Sequence, residues 1–356
     1  MQQERYVRQI GLEGFGLEGQ TKLSEAKVLV VGLGGLGLPA LQYLNAMGIG
    51  TLGLVDHDII ALHNLQRQVL YTENDLGKPK LEVAISVLSK QNSNTIFKPY
   101  NNFLTKDNAL DIISDFDLVV DATDNFSARY LINDACVLLN KPFVYGALHD
   151  FEGQVSVFNY KDGPTYRCLF PKMPGPMEIP NCDENGVLGV IPGIIGTFQA
   201  LEVIKIVTGI GEVLSGKLLL YSGMDQRMVK INFKTNPVHK NITKLQGSYE
   251  FEYCETIPSL SAQKLVALMD NHKDLSVVDV RSPKEYQENH LDGAINIPLQ
   301  TLEKPNDIFS DTSIVYLICQ SGKRSEIALK YLRKEYPNSS FCHILGGMNS
   351  IKQICQ

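Results

Sequence analysis

The sequence lacks a long hydrophobic run. Its most apolar stretch, residues 187–195, is broken by Gly189, Pro192 and Gly193, and it is much shorter than the roughly 17 residues that a membrane-spanning helix needs. The first residues, Met-Gln-Gln-Glu-Arg-Tyr, also lack the apolar core of an export signal. We therefore expect a cytoplasmic protein that does not interact with a membrane.

An excess of positive charge is lacking too. The 356 residues include 33 Lys and Arg against 39 Asp and Glu, which gives a net charge of −6. This mild acidity argues against a surface that neutralises the phosphates of a nucleic acid, although it leaves room for a local basic pocket. The length and a hydrophobic fraction of 44% predict a globular protein of two or three domains.

The sequence also lacks the paired cysteines of a disulfide framework. Its seven cysteines are an odd number without regular spacing. In a reducing compartment such residues are free thiols, metal ligands or nucleophiles. They are Cys136, Cys168, Cys182, Cys254, Cys319, Cys342 and Cys355.

Strand and helix patterns alternate in the first part of the chain. Short apolar runs, typical of buried parallel strands, occur at residues 27–31, 51–55, 95–100, 117–120 and 142–145. Helical patterns at residues 36–47, 78–90, 107–114 and 126–139 separate them. The alternation predicts an α/β fold with a doubly wound, mainly parallel sheet. Segments at 154–158, 217–221 and 228–233 predict an antiparallel extension of it.

The patterns divide the chain into two domains. Residues 236–256 are polar and without periodicity, and we expect them to link a first domain, residues 1–235, to a second small α/β domain, residues 257–356. Within the first domain, the Pro- and Gly-rich residues 170–193 predict a long surface loop, and residues 194–207 predict a helix.

A glycine-rich turn follows the first predicted strand and opens a helix. It contains Gly32, Gly34, Gly35 and Gly37. Glycines permit a tight turn and a close backbone approach, so that amides at the helix N-terminus can meet phosphate oxygens. Asp56 ends the next strand, where a carboxylate can bind ribose hydroxyls. These residues alone fit NAD, FAD or ATP, and a dehydrogenase stays an alternative at this point.

Further polar residues favour triphosphate chemistry over hydride transfer. Asp124 lies just past a predicted strand, where a carboxylate can bind Mg²⁺ together with substrate phosphates. Arg67 and Lys80 are cations that can neutralise charge while a bond to phosphorus breaks. Taken singly, each has an ordinary explanation as a helix cap or a solvated side chain, but their joint occurrence favours a nucleotide site.

The segments around these residues resemble the MoeB/ThiF adenylyltransferases, relatives of the ubiquitin-activating enzymes. The resemblance covers residues 4–233 and rests on Arg5-Tyr-Val-Arg-Gln-Ile, the glycine turn, Val55-Asp-His-Asp, Asn64-Leu-Gln-Arg-Gln, Lys80 and Asp121-Ala-Thr-Asp-Asn. It implies ATP- and Mg²⁺-dependent adenylation of the C-terminal glycine of a ubiquitin-like sulfur-carrier protein that ends in Gly-Gly. It also implies a homodimer.

The resemblance implies roles for individual residues as well. Asp56 would hold the ribose, Asp124 would hold Mg²⁺, and Arg67 would reach in from the other subunit. The residues implied to bind ATP are Arg8, Gly32, Gly34, Gly35, Gly37, Asp56, Asp58, Asn64, Arg67, Gln68, Lys80, Asp124 and Asn125. The residues implied to take part in the chemistry are Arg67, Lys80, Asp124, Cys182 and Cys319.

Cys182 lies in the long predicted loop. A loop thiol near an activated carboxyl group can form a thioester or a disulfide, although an ordinary small residue is the simpler explanation without the resemblance. In the resembling family a cysteine before Glu-x-Gly-Val takes part in sulfur transfer, and Cys182 matches that position.

Cys319 follows a predicted strand and precedes a predicted helix. Such a turn wraps backbone amides around the sulfur and stabilises negative charge, including that of a persulfide. The loop would also suit a phosphatase, but Val278-Asp-Val-Arg-Ser and His290-Leu-Asp-Gly-Ala-Ile-Asn-Ile-Pro resemble a rhodanese domain over residues 257–356. This implies a persulfide on Cys319, cradled by the amides of Gln320, Ser321, Gly322, Lys323 and Arg324.

The sequence departs from the family at a metal site. Many members bind zinc through two Cys-x-x-Cys pairs. The first pair would end at Cys168, but its opening position is Thr165, and residues 234–240 contain no cysteine for the second pair. One remaining ligand cannot make a four-coordinate site, and the spacing of Cys168, His239 and Cys254 supports no substitute, so we expect no zinc. The cysteines at 136, 342 and 355 are expected to be buried or incidental thiols.

These features together predict a fused adenylyltransferase and sulfurtransferase. The first domain is expected to form an acyl-adenylate that the Cys319 persulfide attacks. Cys182 or an external reductant would then release a thiocarboxylate. A cysteine desulfurase is the candidate sulfur donor, and molybdopterin, thiamine and tRNA-thiolation pathways stay open. The alternatives are an NAD-dependent dehydrogenase and a non-catalytic scaffold that binds the carrier.

Overall fold

The protein is described by a computed structural model that covers residues 3–174, 186–249, 258–271, 275–302, 309, 314–337 and 339–354. These residues form two compact units. The first unit contains the described residues up to Met173 and residues 186–249, and the second contains Pro174 and the described residues from 258 onward.

An eight-stranded sheet lies at the centre of the first unit. Its strands are β1 (Lys27–Val31), β2 (Thr51–Val55), β3 (Ile96–Tyr100), β4 (Leu118–Asp121), β5 (Phe143–His149), β6 (Glu152–Phe158), β7 (Lys217–Ser222) and β8 (Arg227–Asn232). They lie in the order β3-β2-β1-β4-β5-β6-β7-β8. The first five are parallel, and β6, β7 and β8 continue the sheet antiparallel. The predicted doubly wound sheet with an antiparallel extension is thereby confirmed.

The apolar run of β1 reflects burial on both of its faces. Successive residues of a strand point to opposite faces of the sheet. Val28 and Val30 accordingly belong to one hydrophobic core, and Leu29 and Val31 belong to a second core on the other face. The helices of this unit are α1 (Gln3–Ile10), α2 (Gly16–Glu25), α3 (Gly37–Met47), α4 (Lys80–Gln91), α5 (Ala109–Ser114), α6 (Phe126–Leu138), α7 (Tyr166–Leu169) and α8 (Val190–Thr208).

Helix α8 is longer than the sequence predicted. It begins at Val190 instead of residue 194 and takes in the end of the predicted loop, with Pro192 in its first turn, where a missing N–H costs nothing. Its 19 residues are long and apolar enough to cross a bilayer, so the expectation that no stretch reaches that length was wrong. Half of the helix is buried within the protein, with Ile195 and Val203 fully enclosed in the first core.

Part of the stretch expected to link two domains packs on the first unit. Residues 237–240 form a short 3₁₀ helix, and the ring of Tyr249 lies in the second core of this unit. The structure does not describe residues 250–257. The domain limits 1–235, 236–256 and 257–356 therefore stay a prediction.

The second unit is built on a five-stranded parallel sheet whose strands are, in order across the sheet, β11 (Ile295–Asn296), β10 (Ser276–Asp279), β12 (Ile314–Ile318), β13 (Ser340–Leu345) and β9 (Ser259–Ser261). This confirms the predicted second small α/β domain. Its elements are β9 (Ser259–Ser261), α9 (Ala262–Asn271), β10 (Ser276–Asp279), α10 (Pro283–Glu288), β11 (Ile295–Asn296), β12 (Ile314–Ile318), α11 (Lys323–Glu335), β13 (Ser340–Leu345) and α12 (Gly347–Ile354).

Candidate active sites

The glycine turn connects β1 to α3 where the neighbouring strands end. Gly32 has a φ of +98°, and its amide donates to the Val55 carbonyl at 2.9 Å. A Cβ at this position would lie 2.6 Å from the Ala122 carbonyl oxygen, and one at Gly37 would lie 1.9 Å from the Gly32 carbonyl oxygen. Glycine is therefore required at both positions, because the turn packs tightly against Ala122, just after β4, and against its own backbone.

Asp56 braces this turn from the end of β2. One carboxylate oxygen accepts from the Leu33 amide at 2.7 Å, and the other accepts from the Asp58 amide at 2.8 Å. The side chain thus fixes the backbone next to which a nucleotide ribose would lie. The ligand atoms of Asp56, His57 and Asp58 all lie within 4.8 Å of one another, so this corner of the site is strongly polar.

Lys80 starts α4 and points toward the same corner. Its side chain is 6% exposed, and its Nζ lies 2.8 Å from Asp58 Oδ2. The Tyr71 hydroxyl lies 3.3 Å from both the Leu33 and the Lys80 carbonyl oxygens, so it joins the glycine turn to the start of α4. Burial and the nearby carboxylates raise the pKa of Tyr71, which keeps the hydroxyl a donor. The sequence did not predict a role for Tyr71, because a tyrosine whose hydroxyl binds only backbone carbonyls belongs to no sequence motif.

Asn64, Arg67 and Gln68 approach the turn from another side. The Arg67 and Gln68 amides both donate to the Asn64 carbonyl, at 3.1 and 3.0 Å. Arg67 Cγ lies 3.3 Å from an ideal Cβ on Gly35, and Gln68 Nε2 lies 3.8 Å from one on Gly34. Gln68 Oε1 is buried without a partner among the described residues, which leaves an acceptor for a bound ligand.

Asp124 and Asn125 follow the end of β4. Asn125 caps α6, since its Oδ1 accepts from the Ala128 amide at 2.8 Å. Asp124 is exposed, and within the described ranges no hydrogen bond or ion pair involves its carboxylate. The buried Asp121 accepts from Thr123, and burial raises its pKa. Asp124 therefore has the freer carboxylate for a cation.

The structure places Arg67 and Arg8 near opposite ends of α3. Arg67 lies beside the glycine turn of its own chain, and its entry from another subunit stays a prediction. Arg8 lies instead on α1, whose Gln9 Nε2 donates to the Met47 carbonyl at the far end of α3. A helix of 11 residues is roughly 16 Å long, so Arg8 does not join the turn of its own chain.

A groove of about 390 Å³ opens beside Arg67. Its lining is mostly apolar and includes Pro39, Val69, Val190 and Phe198. Val69 and Val190 are exposed by 69% and 59%. Exposed apolar surface of this kind, next to a polar site, is typical of an interface with another protein.

A second candidate site lies where β12 meets α11 in the second unit. Cys319 is fully buried, and its Sγ accepts from the Gly322 amide at 3.1 Å and lies 3.7 Å from Ser325 Oγ. Gly322 has a φ of +91°, which turns its amide toward the sulfur. Ser321 and Lys323 are exposed and Arg324 is buried, so the loop presents two side chains to an incoming molecule.

Ion pairs fix this loop from both sides. Arg281 is 1% exposed, binds the Asp279 carboxylate, and donates to Gln320 Oε1 at 3.0 Å. Arg324 makes two hydrogen bonds to the Glu285 carboxylate, at 2.9 and 2.8 Å. Burial lowers the pKa of Arg324 to about 10, which leaves it charged at neutral pH. The guanidinium of Arg324 therefore faces Glu285, while its backbone lies in the first turn of α11.

The other cysteines differ in their surroundings. Cys168 Sγ lies 3.4 Å from the Thr165 amide and 3.3 Å from the Asn236 amide, so it joins two segments through hydrogen bonds. Cys136 is buried, which raises the pKa of its thiol, and the same effect acts on Cys342. Cys182, Cys254 and Cys355 lie outside the described residues. The predicted role of Cys182 therefore stays a prediction.

Comparisons with known proteins match both units. The model of the ThiF family matches residues 6–242, and that of the rhodanese-like domain matches residues 261–354. A protein named adenylyltransferase and sulfurtransferase MOCS3 from Xenopus laevis is 41% identical, over 92% of this chain and 81% of its own. The Culex quinquefasciatus protein of the same name is 39% identical, over 97% and 86%.

Solved structures match the fold over about two thirds of the chain. E. coli MccB with MccA-N7isoASN has a TM-score of 0.60 and 25% identity, over 68% of this chain and 75% of MccB. MccB with AMPCPP and MccA has a TM-score of 0.58, also at 25% identity, over 66% and 73%. The chain belongs to the ThiF family, with a C-terminal rhodanese-like domain, and it is an adenylyltransferase and sulfurtransferase.

Proposed function

We propose that the chain adenylates the C-terminal glycine of a ubiquitin-like sulfur carrier ending in Gly-Gly and then replaces the adenylate with sulfur from Cys319. The observation that carries this proposal is that Arg67 and Lys80 lie beside the glycine turn and that Asp124 follows the strand end on which the turn packs, in a chain that also holds a buried Cys319 loop. Supporting it, MccB, which resembles the first unit, is described with the ATP analogue AMPCPP.

Adenylation makes a good leaving group from a poor one. A carboxylate oxygen of the carrier attacks the α-phosphorus of ATP, the bond to the β-phosphate oxygen breaks, and pyrophosphate leaves. Lys80 and Arg67 stabilise the charge that develops on the phosphates. The Asp124 carboxylate suits Mg²⁺, which would offset the charge of the triphosphate. The glycine turn allows the phosphates to approach the amides at the start of α3.

Sulfur transfer then follows at the activated carbonyl. The terminal sulfur of a Cys319 persulfide attacks the carbonyl carbon, AMP leaves, and an acyl disulfide to Cys319 forms. A thiolate, from Cys182 or from an external reductant, attacks the Cys319 sulfur and releases the carrier as a thiocarboxylate. The disulfide formed by Cys182 would need a reductant before the next turnover. The Gly322 amide stabilises negative charge on the sulfur of Cys319.

We further propose that the active form is a homodimer in which the partner copy supplies Arg8. Arg8 lies on α1, next to the end of α3 that is away from the glycine turn of the same chain. Its guanidinium could therefore assist only the phosphates bound by another chain. The groove beside Arg67, with the exposed Val69 and Val190, adjoins the site and offers the apolar surface that such a contact needs. We propose a cysteine desulfurase as the sulfur donor.

The first step is tested by ATP–pyrophosphate exchange with candidate carriers that end in Gly-Gly. We expect exchange that depends on both the carrier and Mg²⁺. Lys80→Ala should abolish it. Lys90→Ala is the matched control, since it replaces an exposed lysine on the same helix and should leave exchange unchanged. Absence of carrier-dependent exchange with every candidate would refute adenylation as the function.

A further inference from the structure

Tyr6 is the one buried residue among residues 4–10 of α1. It is 5% exposed, and its hydroxyl accepts from Asn92 Nδ2 at 3.0 Å. Asn92, which directly follows α4, is fully buried and is itself fixed, because its Nδ2 also donates to the Asn45 carbonyl near the end of α3 at 2.8 Å. The Tyr6 side chain therefore enters a polar socket between the C-terminal ends of α3 and α4.

The socket has room for a tyrosine because residue 48 is a glycine. Gly48 ends α3 with a φ of +89°, and a Cβ there would lie 2.6 Å from both Cζ and the hydroxyl oxygen of Tyr6. The tyrosine ring thus lies directly against the Gly48 backbone, where any side chain would displace it. The socket therefore fits Tyr6 in shape as well as in hydrogen bonding.

Two further contacts hold α1, and both are weaker than the burial of Tyr6. Gln9 Nε2 donates to the Met47 carbonyl at 3.0 Å. Arg5 donates to the Gln91 carbonyl at 3.2 Å. Gln9 is partly buried and Arg5 is exposed. Loss of a buried aromatic side chain destabilises a contact much more than loss of a partly exposed hydrogen bond does, so Tyr6 is the principal anchor of α1.

The position of Tyr6 decides where Arg8 points. An α-helix turns by about 100° per residue, so side chains two residues apart lie roughly 200° apart around its axis. With Tyr6 buried against its own chain, Arg8 lies on the opposite, outer side of α1. Arg8 is exposed, and within the described ranges no hydrogen bond or ion pair involves its guanidinium. Its neighbour Val7 is 59% exposed. The outer side of α1 thus carries a cation and an apolar side chain that are available to another molecule.

We propose that Tyr6 is a positioning residue, which holds Arg8 outward on α1 for the active site of a second copy of the chain. This inference rests on the proposed homodimer, in which each copy supplies Arg8 to the other. Tyr6 itself touches neither ATP nor the carrier. Its loss in one chain should therefore impair the site of the partner copy and leave the site of its own chain intact.

Mixed dimers of full-length chains, purified through two different affinity tags, test this by carrier-dependent ATP–pyrophosphate exchange. Tyr6→Ala alone should lower exchange about tenfold or more, because a displacement of about 1 Å can cost a hundredfold in rate. Paired with Lys80→Ala, it should recover about half of the wild-type rate, since one of the two equivalent sites has its own Lys80 and receives Arg8 from an intact α1. Paired with Arg8→Ala, it should recover nothing, because neither chain supplies a correctly held Arg8.

Further variants serve as controls. Gly48→Ala displaces the same ring from the other side and should behave like Tyr6→Ala in every pair, which keeps the test decisive if Tyr6→Ala folds poorly. Tyr6→Phe keeps the ring in the socket and should retain most of the exchange. Glu4→Ala replaces an exposed residue on the same helix and should leave exchange unchanged. Arg8→Ala paired with Lys80→Ala is the reference pair.

The pairs separate the outcomes. Recovery with Lys80→Ala and none with Arg8→Ala supports the proposal. The reverse pattern, or recovery with neither, would show that Tyr6 acts within its own chain and would overturn it, as would full exchange by Tyr6→Ala alone. No recovery in the reference pair would refute the shared site and the role of Tyr6 with it. A wild-type chain without carrier-dependent exchange would refute adenylation itself.

Discussion

Replacement of Gly32 by alanine tests whether the glycine turn is built as the structure shows. An alanine at a φ of +98° costs about 1–2 kcal/mol, because its Cβ approaches the following carbonyl. The new Cβ would also lie 2.6 Å from the Ala122 carbonyl oxygen, and overpacking of this kind costs about 1–3 kcal/mol more. We therefore expect Gly32→Ala to lower the free energy of unfolding of the first unit by about 3 kcal/mol.

Gly209→Ala is the matched control. Gly209 also has a positive φ, of +79°, but a Cβ there meets nothing within 4 Å. Only the backbone cost of about 1 kcal/mol should appear. Urea unfolding followed by circular dichroism measures both variants, and loss of ATP–pyrophosphate exchange identifies the transition of the first unit. Gly32→Ala should also raise the KM for ATP. Equal stability of the two variants, with unchanged exchange, would refute the reasoning.

Three further predictions concern the dimer, the pH dependence and zinc. A mixture of Arg8→Ala and Lys80→Ala chains should recover exchange that neither variant has alone, since one site of a mixed dimer has both residues; no recovery would contradict the shared site. Burial lowers the pKa of His343, although the nearby Glu326 acts in the opposite direction. Just below about pH 6.5 the unfolded state therefore binds more protons at this residue than the folded state does. The stability of the second unit should fall as the pH drops through that range, less steeply in His343→Gln, and identical slopes would contradict this. Metal analysis should find no stoichiometric zinc. One equivalent of zinc per chain that is lost in Cys168→Ser would contradict this expectation.

Much of the fold was predictable because burial leaves a direct pattern in the sequence. The strands at 27–31 and 51–55 are continuous apolar runs, since both faces of the central strands are covered. The start of α8 was not predictable in the same way, because Gly189 and Pro192 favour a loop by composition, whereas Pro192 in fact occupies the first turn of the helix. The packing of residues 237–249 on the first unit was not predictable, because it depends on contacts between residues far apart in the sequence, such as Tyr249 and Asp134, which are 115 residues apart.

The candidate sites were likewise predictable only where local sequence patterns determine them. Glycines and carboxylates at strand ends are visible as local patterns, and Gly32, Asp56 and Lys80 lie together as expected. Whether Arg67 or Arg8 reaches the turn within one chain is a question of three-dimensional distance, and the sequence could not answer it. Tyr71 was missed for a related reason, because it acts on backbone carbonyls that no spacing identifies.

The central claim is that Cys319 delivers sulfur to a carrier that the same chain has adenylated. The most direct measurement is mass spectrometry of the carrier after incubation with ATP, Mg²⁺, a persulfide donor and the full-length chain. With the wild-type chain, sulfur should replace one oxygen of the terminal carboxylate. With Cys319→Ala, adenylation should persist without thiocarboxylate, whereas Cys342→Ala should behave as wild type. Undiminished thiocarboxylate formation by Cys319→Ala would contradict the account.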